Sequence, residues 1–200
     1  DPGDEVILPA PYWVTYPEAI KLAGATAKIV ETDASTGYKI TPSQLRKAIT
    51  EKTAMLVLNS PNNPGGFTYT PRELKAIAEV LEGTNVNVLS DEIYEKLIFG
   101  DTEFVSFASL SDDAYHRTLT LNGFSKTFSM TGWRLGYTAG PLEVIKAMGR
   151  LQDHMTSNAV TFGQYAAVAA LGEPAAETIE RMRKEFERRG QYMAKRLNAL

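Results

Sequence analysis

Ala54-Met55-Leu56-Val57-Leu58 is an unbroken apolar run, and Val86-Asn87-Val88-Leu89 is a second strand-like run one helix-length later. Between them lie the loop Ser60-Pro61-Asn62-Asn63-Pro64-Gly65-Gly66, a Thr70-Pro71 pair, and Leu74, Ile77, Ala78 and Leu81 ahead of Gly83. The continuous apolar run predicts a strand buried on both faces. Threonine as a helix cap, proline at the first helical position and apolar residues three and four apart predict a helix. Strand, helix and strand in that order are the unit of a parallel sheet.

Outward from this unit the alternation continues. Toward the N-terminus, Thr41-Pro42 opens a helix through Ile49, Thr26–Thr32 has strand character, and Pro17 to Gly24 reads as a short helix. Val6–Leu8 is a further strand, ended by Pro9 and Pro11. Toward the C-terminus, Phe104–Leu110 is ambiguous, and the apolar runs Thr118–Leu121 and Leu135–Thr138 flank a Gly/Ser/Thr loop. Pro141 begins a helix carrying Ile145, Met148 and Leu151, and Val160–Leu171 is alanine-rich. Pro174 to Leu200 reads as one long helix whose many charges form a solvated face. The expected class is α/β, a three-layer sandwich around a mainly parallel sheet.

Composition narrows the function. Lys plus Arg number 21 and Asp plus Glu 24, a formal charge of −3, which argues against bulk nucleic-acid or acidic-membrane binding. There is no cysteine, hence no disulfide, thiolate metal site or catalytic thiol. No apolar run approaches the roughly 18 residues of a membrane span. The start, Asp-Pro-Gly-Asp-Glu, has no signal-peptide character, so a cytoplasmic setting is expected. His116 and His154 stand alone and receive no role, and no metal site is expected.

The chemistry-bearing residues cluster after the predicted strands. Lys126 lies in the loop after Thr118–Leu121, with Arg134 eight positions later. Pro11-Tyr12-Trp13, the Asn63 loop and Ser90-Asp91-Glu92-Ile93-Tyr94 each follow another apolar run. Strand ends on one edge of an open α/β sheet converge on a ligand crevice, so four marked ends read as one site. A lysine that attacks a carbonyl must be neutral, and an aromatic electron sink needs a carboxylate at its ring nitrogen, which Asp91 is placed to supply. Arg134 offers a fork-shaped phosphate handle. Each residue also has an ordinary reading. Lys126 suits a solvated loop, Asp91 a solvated or metal-binding pair with Glu92, and Arg134 a salt bridge. Asn63 suits turn chemistry, Tyr94 a buried hydroxyl, and Trp13 the core.

Taken together, Asn63-Pro64-Gly65-Gly66, Ser90-Asp91-Glu92-Ile93-Tyr94 and Ser125-Lys126 with Met130-Thr131-Gly132-Trp133-Arg134-Leu135-Gly136-Tyr137 resemble the large domain of the class I aminotransferases. These are pyridoxal-phosphate enzymes of fold type I. Pro11-Tyr12-Trp13-Val14-Thr15-Tyr16-Pro17-Glu18 is similar to their bacterial aspartate aminotransferase branch. The resemblance runs through essentially the whole chain, and the lysine-to-arginine block is its most specific part.

The resemblance implies a role for each residue. Lys126 would carry pyridoxal 5'-phosphate as an aldimine and then shuttle the substrate proton. Asp91 would face the pyridinium nitrogen, while Tyr94 and Asn63 hold the 3'-oxygen and Asn63 also reaches the substrate carboxylate. Trp13 would stack on the ring and, like Asn63, contact the substrate, and Arg134 would clamp the phosphate. The implied substrates are an amino acid, aspartate first, and a 2-oxo acid, handled by a homodimer in amino-acid biosynthesis. Other readings on the same scaffold are a lyase, a decarboxylase, or a non-catalytic sensor domain of a transcription regulator. Gly123 stands where many relatives carry a phosphate-binding serine. Residues 1–170 are expected to be an incomplete cofactor-binding domain, and 171–200 a helix leading to a small domain. The phosphate loop is expected before Asp1 and the substrate-carboxylate arginine after Leu200, so the isolated piece should be poorly active.

Overall fold

Threonine and proline start two helices as their chemistry dictates. Thr41 and Thr70 each accept a hydrogen bond from the backbone N–H three residues on, and Gln44 and Glu73 bond back to the threonine N–H. Both starts are full capping boxes with proline at the first helical position, where its missing N–H costs nothing. They open α2 (Pro42–Ala48) and α3 (Pro71–Leu81). The computed structural model describes residues 1–173 and 175–200. The other elements are β1 (Glu5–Pro9), α1 (Thr15–Leu22), β2 (Thr26–Val30), β3 (Thr53–Asn59), β4 (Asn87–Asp91), α4 (Asp112–Arg117) and β5 (Thr118–Gly123). They are followed by β6 (Gly136–Ala139), α5 (Leu142–Met155), α6 (Thr161–Ala170) and α7 (Ala175–Leu197).

Among the described residues, six strands form one sheet in the order β2-β1-β3-β4-β5-β6. All neighbours are parallel except β5 and β6, which are antiparallel. Successive side chains on a strand face opposite sides, and the core divides accordingly. Ile7, Leu56, Leu58 and Val88 pack with Leu45 of α2, Leu74, Ile77 and Leu81 of α3 and Ala114 of α4. Val6, Leu8 and Val57 pack on the other face with Tyr16 and Ile20 of α1. A third cluster joins Phe124 and Leu135 to Ala167 of α6. Helices therefore cover both faces, and the sandwich is as expected.

Several boundaries differ from the sequence reading. α1 starts at Thr15, so Pro17 is its third residue, which the unpaired N–H groups of a first helical turn allow. β2 ends at Val30, two residues before Thr32. The ambiguous Phe104–Leu110 segment holds a short 3-10 turn, Phe107–Ser109, with Phe107 buried. α4, which the sequence reading missed, is a single capped turn and a half: Ser111 Oγ accepts from Ala114 N–H at 3.1 Å. Arg117 at its end donates to the Val86 carbonyl at 2.6 Å and pairs with Asp113, fixing the start of β4.

The charged helix is solvated, as read. Its charges pair along its own surface, Glu180 with Arg183 and Glu185 with Arg188 and Arg189, and Arg183 also donates to the Ile98 carbonyl. The expected start at Pro174 lies outside the described residues. Among the described residues, no helix is long and apolar enough to cross a membrane.

Candidate active site

Parallel pairing makes the strand ends level. Asn59 lies opposite Asp91, and Asp91 opposite Leu121, so the chain leaves β3, β4 and β5 on one edge of the sheet. There a cavity of 480 Å³ opens, lined by Trp13, Asn63, Asp91, Tyr94, Lys126 and Arg134. That volume falls within the roughly 300–1,000 Å³ of small-molecule sites. All six residues singled out from the sequence therefore meet in one place, Asp91 from the end of β4 and the others from the loops after β1, β3, β4 and β5.

Asp91 is 5% exposed and has no ion-pair partner among the described residues. Its Oδ2 accepts from the Tyr16 hydroxyl at 2.6 Å and its Oδ1 from the Ile93 N–H at 3.1 Å. Burial holds its carboxyl above the ordinary range, against the opposing pull of those two donors. A buried carboxylate, a primary amine and a guanidinium therefore line one cavity, with no salt bridge among them in the described residues.

The model of the family "Aminotransferase class I and II" matches residues 1–200. The chain belongs to that family. It is 52% identical to an aspartate aminotransferase of Geobacillus stearothermophilus over 94% of this chain and 48% of that protein. It is 48% identical to an aspartate/prephenate aminotransferase of Cereibacter sphaeroides over 99% of this chain and 50% of that one. The crystal structure of an aspartate aminotransferase from Rhizobium meliloti superimposes with a TM-score of 0.96 at 39% identity, covering all of this chain and 50% of that one. The chain spans about half the length of the curated relatives it matches.

Within this chain of the aminotransferase family the remaining contacts show how the cavity is held. Asn59 ties two strand ends together: its Nδ2 donates to the Asp91 carbonyl at 3.1 Å and its Oδ1 accepts from the Asn63 N–H at 2.8 Å. Lys126 Nζ lies 5.7 Å from the centre of the Tyr94 ring, within cation–π range. Trp13 is exposed and meets Tyr16 edge-to-face with ring centres 5.6 Å apart. Arg134 has a left-handed backbone, φ +53°, and donates to the Thr131 carbonyl at 2.8 Å.

Asp91 and Glu92 do not form a solvated or metal-binding pair. Consecutive residues of extended chain face opposite sides, and both side chains are buried. Glu92 turns away to accept from Ser90 Oγ at 2.8 Å and from Ser106 Oγ and Phe107 N–H, each at 3.0 Å. Burial pushes its carboxyl up as well.

Gly123 is crowded. A Cβ there would stand 3.0 Å from the Leu135 carbonyl oxygen and 3.1 Å from Gly136 Cα, because β6 closes on β5 at that point. A serine would require the paired strand to shift.

A larger hollow of 1,120 Å³ lies beside the site and shares Arg134 with it. Its walls are mainly apolar, including Trp133, Met148 and Phe162, and among the described residues Arg134 is its one charged lining residue. The smaller cavity holds Asp91 and Lys126, which the larger one lacks. Three contributors went unread in the sequence: Tyr16, Asn59 and Glu92. No local signal marked Tyr16, whose partner Asp91 lies seventy-five positions away.

Proposed function

We propose that this chain is the cofactor-binding part of a pyridoxal-phosphate-dependent aminotransferase that moves an amino group between aspartate and a 2-oxo acid. One observation carries the reading: Asp91, Lys126 and Arg134 line one cavity with no salt bridge joining them. The donor set fits pyridoxal 5'-phosphate group by group. A buried carboxylate complements a protonated ring nitrogen, an amine an aldehyde, and a guanidinium a phosphate. When bound, the group supplies an electron sink that makes the substrate α-proton acidic.

The chain's own residues do the rest. Asp91 keeps the ring nitrogen charged, because a carboxylate stabilises the cation beside it. Tyr94 and Asn63 would hold the 3'-oxygen, Trp13 would stack on the ring, and Arg134 would take the phosphate, its guanidinium offering a fork of N–H donors. Asn63 also meets the substrate carboxylate. Lys126 is the residue whose amine would hold the cofactor, and it would take and return the proton of the substrate α-carbon as a general base and acid.

The same proposal treats residues 1–170 as the large domain and 171–200 as the helix leading to a small domain. It places the parent protein in the cytoplasm as a homodimer serving amino-acid biosynthesis. The 48–52% identity to aspartate and aspartate/prephenate aminotransferases supports the substrate choice.

The test is borohydride reduction of the full-length protein loaded with pyridoxal 5'-phosphate, followed by peptide mapping. The adduct is expected on Lys126 and on no other lysine. An adduct on Lys96 or Lys146, or full turnover by Lys126→Ala, would remove the reading.

A further inference from the structure

Resting on that reading of the site, we propose that Tyr16 is a positioning residue: its hydroxyl fixes the Asp91 carboxylate in the orientation and charge state that the ring nitrogen requires.

The geometry is specific. Tyr16 sits in the first turn of α1, and Asp91 at the end of β4 lies seventy-five positions later. Their side chains meet at 2.6 Å, a length typical of an O–H donor on an ionised acceptor. Both are buried, Tyr16 at 8% and Asp91 at 5% exposure. The two carboxylate oxygens are held differently. Oδ1 is fixed by the Ile93 N–H from the chain's own next turn, whereas Oδ2 is fixed only from across the sheet face, by Tyr16. Together the two donors stop rotation of the carboxylate about its Cβ–Cγ bond.

The same bond sets charge. Burial disfavours the ionised carboxylate, and the Tyr16 hydroxyl is the stronger of the two donors that oppose it. The tyrosine is itself suited to donate. Burial and the neighbouring carboxylate push its own ionisation far above the ordinary range, so it keeps its proton. The other charged or titratable groups lining the cavity are Tyr94 from the turn after β4, and Lys126 and Arg134 from the loop after β5. Among the described residues, none of these three makes a hydrogen bond to Asp91. Tyr16 also meets Trp13 edge-to-face, so one helix entry positions both side chains.

The experiment follows the Asp91 carboxyl by carbon-13 NMR through a pH titration of the full-length, cofactor-free protein. Tyr16→Phe removes the donor and should move the Asp91 midpoint upward. Fluorotyrosine at position 16 keeps the shape, is a stronger donor, and should move the midpoint downward. Affinity for pyridoxal 5'-phosphate should fall roughly tenfold in Tyr16→Phe, the scale of one charge-assisted hydrogen bond. A tyrosine that only fills space would not shift the midpoint in opposite directions. An unmoved midpoint, shifts of the same sign, or unchanged cofactor affinity would overturn the proposal. If Tyr16→Phe does not fold, the fluorotyrosine titration decides alone. Because the titration needs no cofactor, it stands even if borohydride trapping at Lys126 fails.

Discussion

Replacing Glu92 with alanine should loosen the wall behind the site, while replacing it with glutamine should not. One oxygen of Glu92, Oε1, accepts all three hydrogen bonds, from Ser90 Oγ, Ser106 Oγ and Phe107 N–H. Alanine strands all three donors. The two hydroxyls can turn to other acceptors, but the Phe107 N–H is fixed beside a side chain only 1% exposed. One orphaned buried donor costs about 1–3 kcal/mol, and two weakened hydroxyl bonds add about 0.5–1 kcal/mol each. The total is about 2–5 kcal/mol of local stability.

Glutamine keeps a carbonyl oxygen in the Oε1 position and so retains all three bonds. Hydrogen exchange read by mass spectrometry on the full-length protein measures this directly. Residues 104–110 should exchange roughly 30- to 4,000-fold faster in Glu92→Ala, and within a few-fold of wild type in Glu92→Gln. The pH dependence has a definite sign. Burial raises the folded pKa of Glu92 above its ordinary 4.5. Its stabilising contribution is therefore fully present below the unfolded pKa and lost as pH rises through the folded one. Glutamine has no such titration, so its protection should gain on wild type as pH rises above about 4.5. Equal exchange in the two variants, or a difference between Glu92→Gln and wild type that is indifferent to pH, would refute the reasoning.

Three further outcomes are expected. Asp91→Asn should leave the far-ultraviolet circular dichroism unchanged and cut turnover of the full-length enzyme by roughly 10²–10⁴-fold, since a neutral amide cannot keep the ring nitrogen protonated; near-normal turnover would return Asp91 to a structural role. Arg134→Lys should weaken pyridoxal 5'-phosphate about tenfold in a fluorescence titration, because a point charge replaces a two-pronged donor; turnover should recover at excess cofactor. Ile77→Ala, at a fully buried position between α3 and the sheet, should lower stability by about 2–5 kcal/mol, read as a fall in the urea midpoint at unchanged slope.

The alternation of strand and helix was legible because its signals are local. A threonine, a proline and a glutamine or glutamate three residues after the threonine satisfy the first N–H groups of a helix whatever surrounds them, as Thr41 and Thr70 show. The apolar run Ala54–Leu58 likewise requires burial on both faces wherever it is placed. Asp91, Lys126 and Arg134 were legible for the same reason, since each is marked by its immediate neighbours. Tertiary structure alone decided the rest. That β1 lies between β2 and β3, and that β6 turns antiparallel after the lysine loop, depends on which faces find cover. The opposite destinations of Asp91 and Glu92, one to the cavity and one to Ser106 and Phe107, depend on what packs on each side of β4. Tyr16 reads in sequence as one aromatic among several near the start of a helix. It becomes the partner of Asp91 only when α1 packs on the face where β4 ends, because a hydrogen bond between residues so far apart is made by the fold and has no local cause.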